Sequence, residues 1–85
     1  MTADVRIYTT RWCGYCFAAV RLLDRKKVRY QNIDVGSDPD KRRWLAEVTG
    51  RTTVPQVFIN DRPVGGFTDL EALDERGELD RLLAG

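Results

Sequence analysis

Short runs of β-branched and aromatic residues alternate along this chain with longer stretches whose apolar residues recur at helical spacing. Val5-Arg6-Ile7-Tyr8-Thr9 is dense in strand formers and predicts a first strand. After a loop at Thr10-Arg11-Trp12, Ala19, Val20, Leu22 and Leu23 recur with Arg21, Asp24 and Arg25 between or after them, which predicts a helix reaching Lys27. The basic run Arg25-Lys26-Lys27 suits a helix C-terminus, where partial negative charge collects. Val28 to Val35 reads as a second strand of imperfect alternation. Gly36-Ser37-Asp38-Pro39 predicts a turn and a helix start, with Asp38 as N-cap and Pro39 at the first helical position. Trp44, Leu45 and Val48 are expected to form the apolar face of that helix, and Gly50 its stop. Val57-Phe58-Ile59 predicts a short strand, Asn60-Asp61-Arg62-Pro63 a hairpin connection, and Val64 the return strand. Gly65-Gly66-Phe67 breaks it. Thr68 and Glu71 have capping-box spacing at the opening of a last helix, which carries Leu70, Leu73, Leu79, Leu82 and Leu83 and breaks at Gly77.

The order is β-α-β-α-β-β-α, an α/β pattern. Strand–helix–strand at this spacing implies two parallel strands joined by a right-handed crossover. With 85 residues and no linker or repeat, one domain spanning residues 1–85 is expected. Fourteen basic and 13 acidic residues leave a net charge of +1, so charge gives no reason to expect nucleic acid or an acidic membrane as partner. No apolar stretch approaches the roughly 20 residues of a membrane span. The start, Met1-Thr2-Ala3-Asp4-Val5-Arg6, lacks the apolar run of a signal peptide. The cytoplasm is therefore the expected compartment. There, a close cysteine pair is catalytic or metal-binding more often than structural.

The two cysteines of the chain stand at Cys13-Gly14-Tyr15-Cys16, where the first strand gives way to the first helix. Histidine is absent, which excludes Cys–His catalysis and histidine-ligated metal within the chain. Two thiols alone do not complete a four-ligand zinc site. C-x-x-C at a strand–helix junction is the sign of a thioredoxin-like redox site. A helix N-terminus favours the thiolate, the form that attacks sulfur. Cys13, at or just before the first turn, is the expected nucleophile. Cys16, one turn further in and more shielded, is the expected resolving thiol, close enough to close a small disulfide ring.

Four blocks then identify a family: Cys13-Gly14-Tyr15-Cys16; Thr53-Val54-Pro55 with Gln56-Val57-Phe58-Ile59; Gly65-Gly66; and Thr68-Asp69-Leu70. In order and spacing they resemble the glutaredoxins, most of all the small bacterial dithiol members, over nearly the whole chain. The resemblance implies a thioredoxin-like fold, a four-stranded mixed β-sheet flanked by helices, with a cis peptide bond before Pro55. It implies a glutathione-dependent thiol–disulfide oxidoreductase that reduces protein disulfides and glutathione mixed disulfides. The implied partners are glutathione, as reducing co-substrate, and disulfide-containing or glutathionylated proteins, met by a monomer. Glutathione would join Cys13 through sulfur, beneath Tyr15. Its cysteinyl backbone would lie along Thr53, Val54 and Pro55, its γ-glutamyl end at Gly66, Thr68 and Asp69, and its glycyl carboxylate near Arg42. Trp12 is expected to shield the site or to bury.

The chain departs from the family pattern at three places. Thr10 stands where lysine is common, and Thr52 where a basic residue often precedes the Thr-Val-Pro block; Arg11 and Arg51 each lie one residue away. A mycothiol-linked or thioredoxin-reductase-linked redoxin is therefore an alternative. Gly14 replaces the proline of many dithiol relatives. Trp12-Cys13-Gly14-Tyr15-Cys16 resembles members that hold a 2Fe-2S cluster between two subunits, each giving one cysteine (here Cys13) while two glutathiones supply the other thiolates. A dimeric cluster carrier is the alternative from a different functional class.

Overall fold

The computed structural model describes residues 3–85. Its sheet is built around strand β1 (Val5–Thr9), which pairs in parallel with β2 (Gln31–Asp34) and antiparallel with β3 (Gln56–Ile59). Strand β4 (Arg62–Gly65) completes the order β2-β1-β3-β4 by an antiparallel hairpin with β3. The sheet is thus mixed and four-stranded, as expected. Helix α1 (Gly14–Arg25) crosses from β1 to β2, and α2 (Pro39–Thr49) from β2 to β3. Helices α3 (Phe67–Glu75) and α4 (Glu78–Ala84) follow β4 and are separated by Gly77 at φ 74°. No helix among the described residues is long and apolar enough to cross a membrane.

The two-residue period of the strands splits the core between the two faces of the sheet. Val5, Ile7, Val57 and Ile59 face α1, α3 and α4, packing on Ala19, Leu22, Leu23, Leu70, Leu79 and Leu83. Tyr8 and Phe58 face the other way, with Val35 and Leu45. β1 is buried at Val5, Ile7, Tyr8 and Thr9, which anchors the strand that leads into the cysteine pair.

Several boundaries differ from the sequence expectation. The second strand is Gln31–Asp34, not 28–35. Its register, Arg6 opposite Gln31, leaves positions 28 and 29 beyond the start of β1 with no strand to pair with. Lys27 turns the chain at φ 58°, and Val28 and Tyr30 pack against the core without joining the sheet. Val35 still donates its N–H to the Thr9 carbonyl at 2.8 Å, just past the strand's end. The hairpin turn narrows to Asn60 and Asp61, at φ 52° and 65°, so Arg62 and Pro63 belong to β4. Both belong to an edge strand, where a proline's missing N–H is tolerated.

The second helix starts as expected, with Asp38 accepting the Lys41 N–H at 3.0 Å and Pro39 in the first turn, and it ends at Gly50 in the left-handed region (φ 71°). Its apolar face is narrower than the spacing implies. Leu45 is buried, whereas Val48 is exposed and Trp44 is 43% exposed. Trp44 lies against the sheet margin, stacked on Phe58 with centroids 5.9 Å apart and tilted against Tyr8 at 5.6 Å.

Candidate active site

The cysteine pair is placed by the stop of β1 and the start of α1. Cys13 is the N-cap of α1, in extended conformation (φ −136°, ψ 109°), and its Sγ accepts the backbone N–H of Cys16 at 3.1 Å. That N–H is one of the first-turn donors with no partner inside the helix, and a donor aimed at sulfur stabilises negative charge there. The Cys13 thiol donates in turn to the Val54 carbonyl at 3.7 Å. Cys13 is half-buried and Cys16 is 3% exposed; both are free thiols. Burial, followed by the neighbouring Cys13 sulfur, pushes the Cys16 thiol up to about 12. The two sulfurs are therefore chemically unequal: one is accessible and capped by an N–H, the other is enclosed and held protonated.

Val54 carries the site onward into a groove of about 340 Å³ lined by Tyr15, Arg51, Thr53, Val54, Pro55, Gly66, Phe67, Thr68 and Asp69. The Val54–Pro55 peptide bond is cis. Seven of the eight residues expected to meet glutathione line this groove. Arg42 does not. It lines a neighbouring cavity of about 470 Å³ with Thr10, Arg11, Trp12, Asp34, Gly36 and Ser37, and its Nη2 donates to the Thr52 carbonyl at 3.3 Å. Trp12 is 90% exposed, so it does not bury as one of the two expectations had it. Tyr15 is also exposed, its ring 6.3 Å from that of Phe67.

The far wall of the groove is the start of α3, and here the sequence pattern misplaced the cap. The helix begins at Phe67, with Gly66 as N-cap, and the carboxylate reaching back is that of Asp69, not Glu71. Asp69 Oδ2 accepts the Gly66 N–H at 2.9 Å and Arg51 Nη1 at 2.7 Å. The Arg51 guanidinium, then the Gly66 N–H, hold the Asp69 carboxyl below its usual range. Gly65 is required beside it. At φ 113° a side chain is strained, and a Cβ there would collide with the Asp69 carboxylate. Gly65→Ala is expected to lower unfolding free energy by roughly 2–4 kcal/mol, from backbone strain and displacement of Asp69. Urea denaturation followed by circular dichroism measures it, and a loss under about 0.5 kcal/mol, the range of an unremarkable surface change, would contradict the contact.

Two groove residues escaped the sequence reading in different ways. The sequence pattern marks Phe67 only as part of a strand break, yet it faces Tyr15 across the groove. The sequence offers Arg51 as a stand-in for the basic residue absent at Thr52, or as a solvated surface arginine, and gives no sign of its partner. Its side chain turns to Asp69, 18 residues away.

With this geometry in view, the similarity to known proteins is specific. Residues 5–64 match the model of the Glutaredoxin family. The chain belongs to the glutaredoxin family. It is 50% identical over 80 residues to a glutaredoxin of Pseudomonas aeruginosa, an alignment covering 94% of this chain and 95% of that one. The solution structure of a glutaredoxin from Brucella melitensis superimposes with a TM-score of 0.89 at 44% identity, covering 98% of this chain and 90% of the other. A buckwheat glutaredoxin–glutathione complex superimposes with a TM-score of 0.89 at 30% identity, covering 95% and 76%. A thioredoxin-like fold and thiol–disulfide oxidoreductase chemistry follow from membership in the glutaredoxin family.

Proposed function

We propose that this glutaredoxin reduces protein disulfides and glutathione mixed disulfides at the expense of glutathione, with Cys13 as nucleophile and Cys16 as resolving thiol. One observation carries the reading: an accessible, N–H-capped Cys13 sulfur touches Val54, and Val54 opens a groove that ends at a charged helix start. In the dithiol route the Cys13 thiolate attacks a sulfur of the target disulfide, and the displaced target thiolate leaves. Cys16 then attacks the Cys13 sulfur of the mixed disulfide. The second target sulfur departs with the proton Cys16 gives up, and the Cys13–Cys16 disulfide forms. One glutathione thiolate opens that disulfide at Cys13, and a second removes the first as glutathione disulfide. In the monothiol route Cys13 attacks the glutathionyl sulfur of a modified protein, releases the protein thiol, and is regenerated by one further glutathione.

The groove supplies the contacts a small peptide thiol needs. Val54 forms no backbone hydrogen bond through its N–H among the described residues, so an extended peptide backbone has a main-chain partner beside the sulfur. Tyr15 and Phe67 wall the groove, and Thr68 and Asp69 offer the α3 N-terminus and a carboxylate to the γ-glutamyl end. Arg42 and Arg11, in the adjoining cavity, supply positive charge for a glycyl carboxylate. The reading gives the chain a monomeric role in a reducing compartment such as the cytoplasm.

Supplying glutathione with glutathione reductase, mycothiol with its own reductase, or thioredoxin reductase alone, and following reduction of a glutathione mixed disulfide, tests the reading directly. Sustained turnover is expected with the glutathione system. Turnover only with one of the others would sink it. The dimeric 2Fe-2S carrier is not carried by the geometry of one chain. No group of three or more His, Cys, Asp or Glu able to hold a metal exists among the described residues, so Cys13 would need thiolates from outside.

A further inference from the structure

Cys16 lines neither the groove nor the Arg42 cavity. It lines a third cleft, of about 360 Å³, between the start of α1 and the outer strand β2. Cys16 and Thr9, both buried, form the floor of this cleft, while Phe17, Asn32 and Asp34 are exposed around its mouth. In the parallel pairing Asn32 stands opposite Ile7 and Asp34 opposite Thr9, so all four share one face of the sheet. Further along that face Val5 and Ile7 pack on Ala19, Leu22 and Leu23 of α1. At the end nearest Cys16 the same face carries Thr9, Asn32 and Asp34 in place of apolar residues. Thr9 is only 6% exposed, and its hydroxyl donates to Asn32 Oδ1 at 2.7 Å. That bond turns Oδ1 toward Thr9 and leaves the Asn32 amide N–H donors to the cleft. Asp34 is engaged elsewhere, its Oδ1 accepting the Gly36 N–H at 2.8 Å.

A water takes up about 30 Å³, so this polar cleft has room for several beside the thiol. The titratable and charged groups around Cys16 are Cys13 on α1, Arg11 and Asp34 at the cleft, and Arg42 on α2. Burial, then the Cys13 sulfur, oppose ionisation of Cys16, and the Thr10 backbone N–H and the Arg42 guanidinium favour it. Water in the cleft acts on the largest of these, because it solvates the nascent thiolate. Resting on the reading of Cys16 as the resolving thiol, we propose that Asn32 is a positioning residue for ring closure: held by Thr9, it keeps water beside Cys16, and the Cys16 proton leaves for solvent through the α1–β2 cleft. The Cys16 electron pair then forms the bond to the Cys13 sulfur. The target thiolate leaves with the electrons of the broken bond and takes a proton from solvent, so the overall balance is unchanged.

Mixing the reduced protein with excess dithiobis(nitrobenzoate) reports both thiols in one absorbance trace. The first phase, attack by Cys13, quickens with reagent concentration. The second, ring closure by Cys16, does not, and each phase releases one coloured aryl thiolate. That leaving group needs no proton in the neutral range, so the second phase reports proton loss from Cys16 and not proton gain by the departing sulfur. Asn32→Leu keeps the side-chain volume and removes the polar end. It is expected to slow the second phase about tenfold, the effect of raising the Cys16 titration by about one unit, and to leave the first phase within about twofold. The second phase's rate–pH profile between about pH 6 and pH 9 should move up by about one unit with its slope unchanged. Asn32→Ser, smaller and still polar, should keep the second phase within about threefold of the parent. A second phase unchanged in Asn32→Leu, slowed only together with the first, or slowed as much in Asn32→Ser, would overturn the proposal. Should Asn32→Leu not fold, Thr9→Val decides in its place: losing the hydroxyl that holds Asn32 should slow the second phase roughly threefold, and no slowing would overturn the proposal. A parent protein with no second phase and no Cys13–Cys16 disulfide by mass spectrometry would instead overturn Cys16 as the resolving thiol.

Discussion

Cys13→Ser is expected to abolish reduction of both protein disulfides and glutathione mixed disulfides, lowering the rate by at least about three orders of magnitude. Both routes begin with sulfur attack by Cys13, and the Cys16 thiol, 3% exposed and held protonated up to about 12, does not replace it. A serine hydroxyl ionises too weakly to attack a disulfide and forms no exchangeable sulfur bond. The substitution is unusually clean because serine is itself a favoured N-cap. Its Oγ takes over the Cys16 N–H that now points to Sγ at 3.1 Å, so stability should change by no more than about 0.5 kcal/mol. Activity and urea denaturation measured on the same preparation separate the two effects. Residual turnover above about a tenth of the parent rate, a loss of less than about 1.4 kcal/mol, would place the nucleophile elsewhere.

How far the sequence revealed this site follows from how local each determinant is. The cysteine pair, the Asp38 cap and the Gly50 and Gly77 stops are set by contacts within a few residues, and each lies where the pattern puts it. The central strands are equally legible, because Val5, Ile7, Val57 and Ile59 alternate with Tyr8 and Phe58 and both faces are covered. The misreadings arise where a partner decides. Val28 and Tyr30 have strand composition, but β1 begins too late to pair with the segment's start. Trp44 and Val48 have helical spacing, yet the sheet beneath α2 is too narrow to cover both, and only Leu45 is enclosed. Thr68 and Glu71 have the right spacing for a cap, but Gly65 at φ 113° redirects the chain so that Asp69 reaches Gly66 first. The Arg51–Asp69 contact needs both a left-handed turn at Gly50 and a cap three elements later, and no periodicity encodes that.

The unequal thiols lead to a second large effect. Cys16→Ser is expected to spare the monothiol reaction to within about threefold while lowering reduction of protein disulfides by at least about tenfold, since no internal thiol then resolves the mixed disulfide. The enclosed hydroxyl also removes roughly 1–2 kcal/mol of stability, because a buried polar group gives up water contacts for weak ones. In the unaltered protein the resolving step has its own pH signature. Burial, a property of the packing around Cys16, is the main reason its thiol is pushed up to about 12 in the dithiol form. The thiolate fraction of Cys16 therefore rises about tenfold per pH unit through the neutral range, and ring closure, followed by rapid acid quenching of a preformed mixed disulfide, should accelerate with it between about pH 6 and pH 9, roughly three to six units below that titration. The acceleration should vanish in Cys16→Ser. Were Cys16→Ser inactive in the monothiol reaction and Cys13→Ser active, the two roles would be reversed; were ring closure independent of pH, deprotonation of Cys16 would not limit it, and the enclosed thiol would need a base that takes its proton as it attacks.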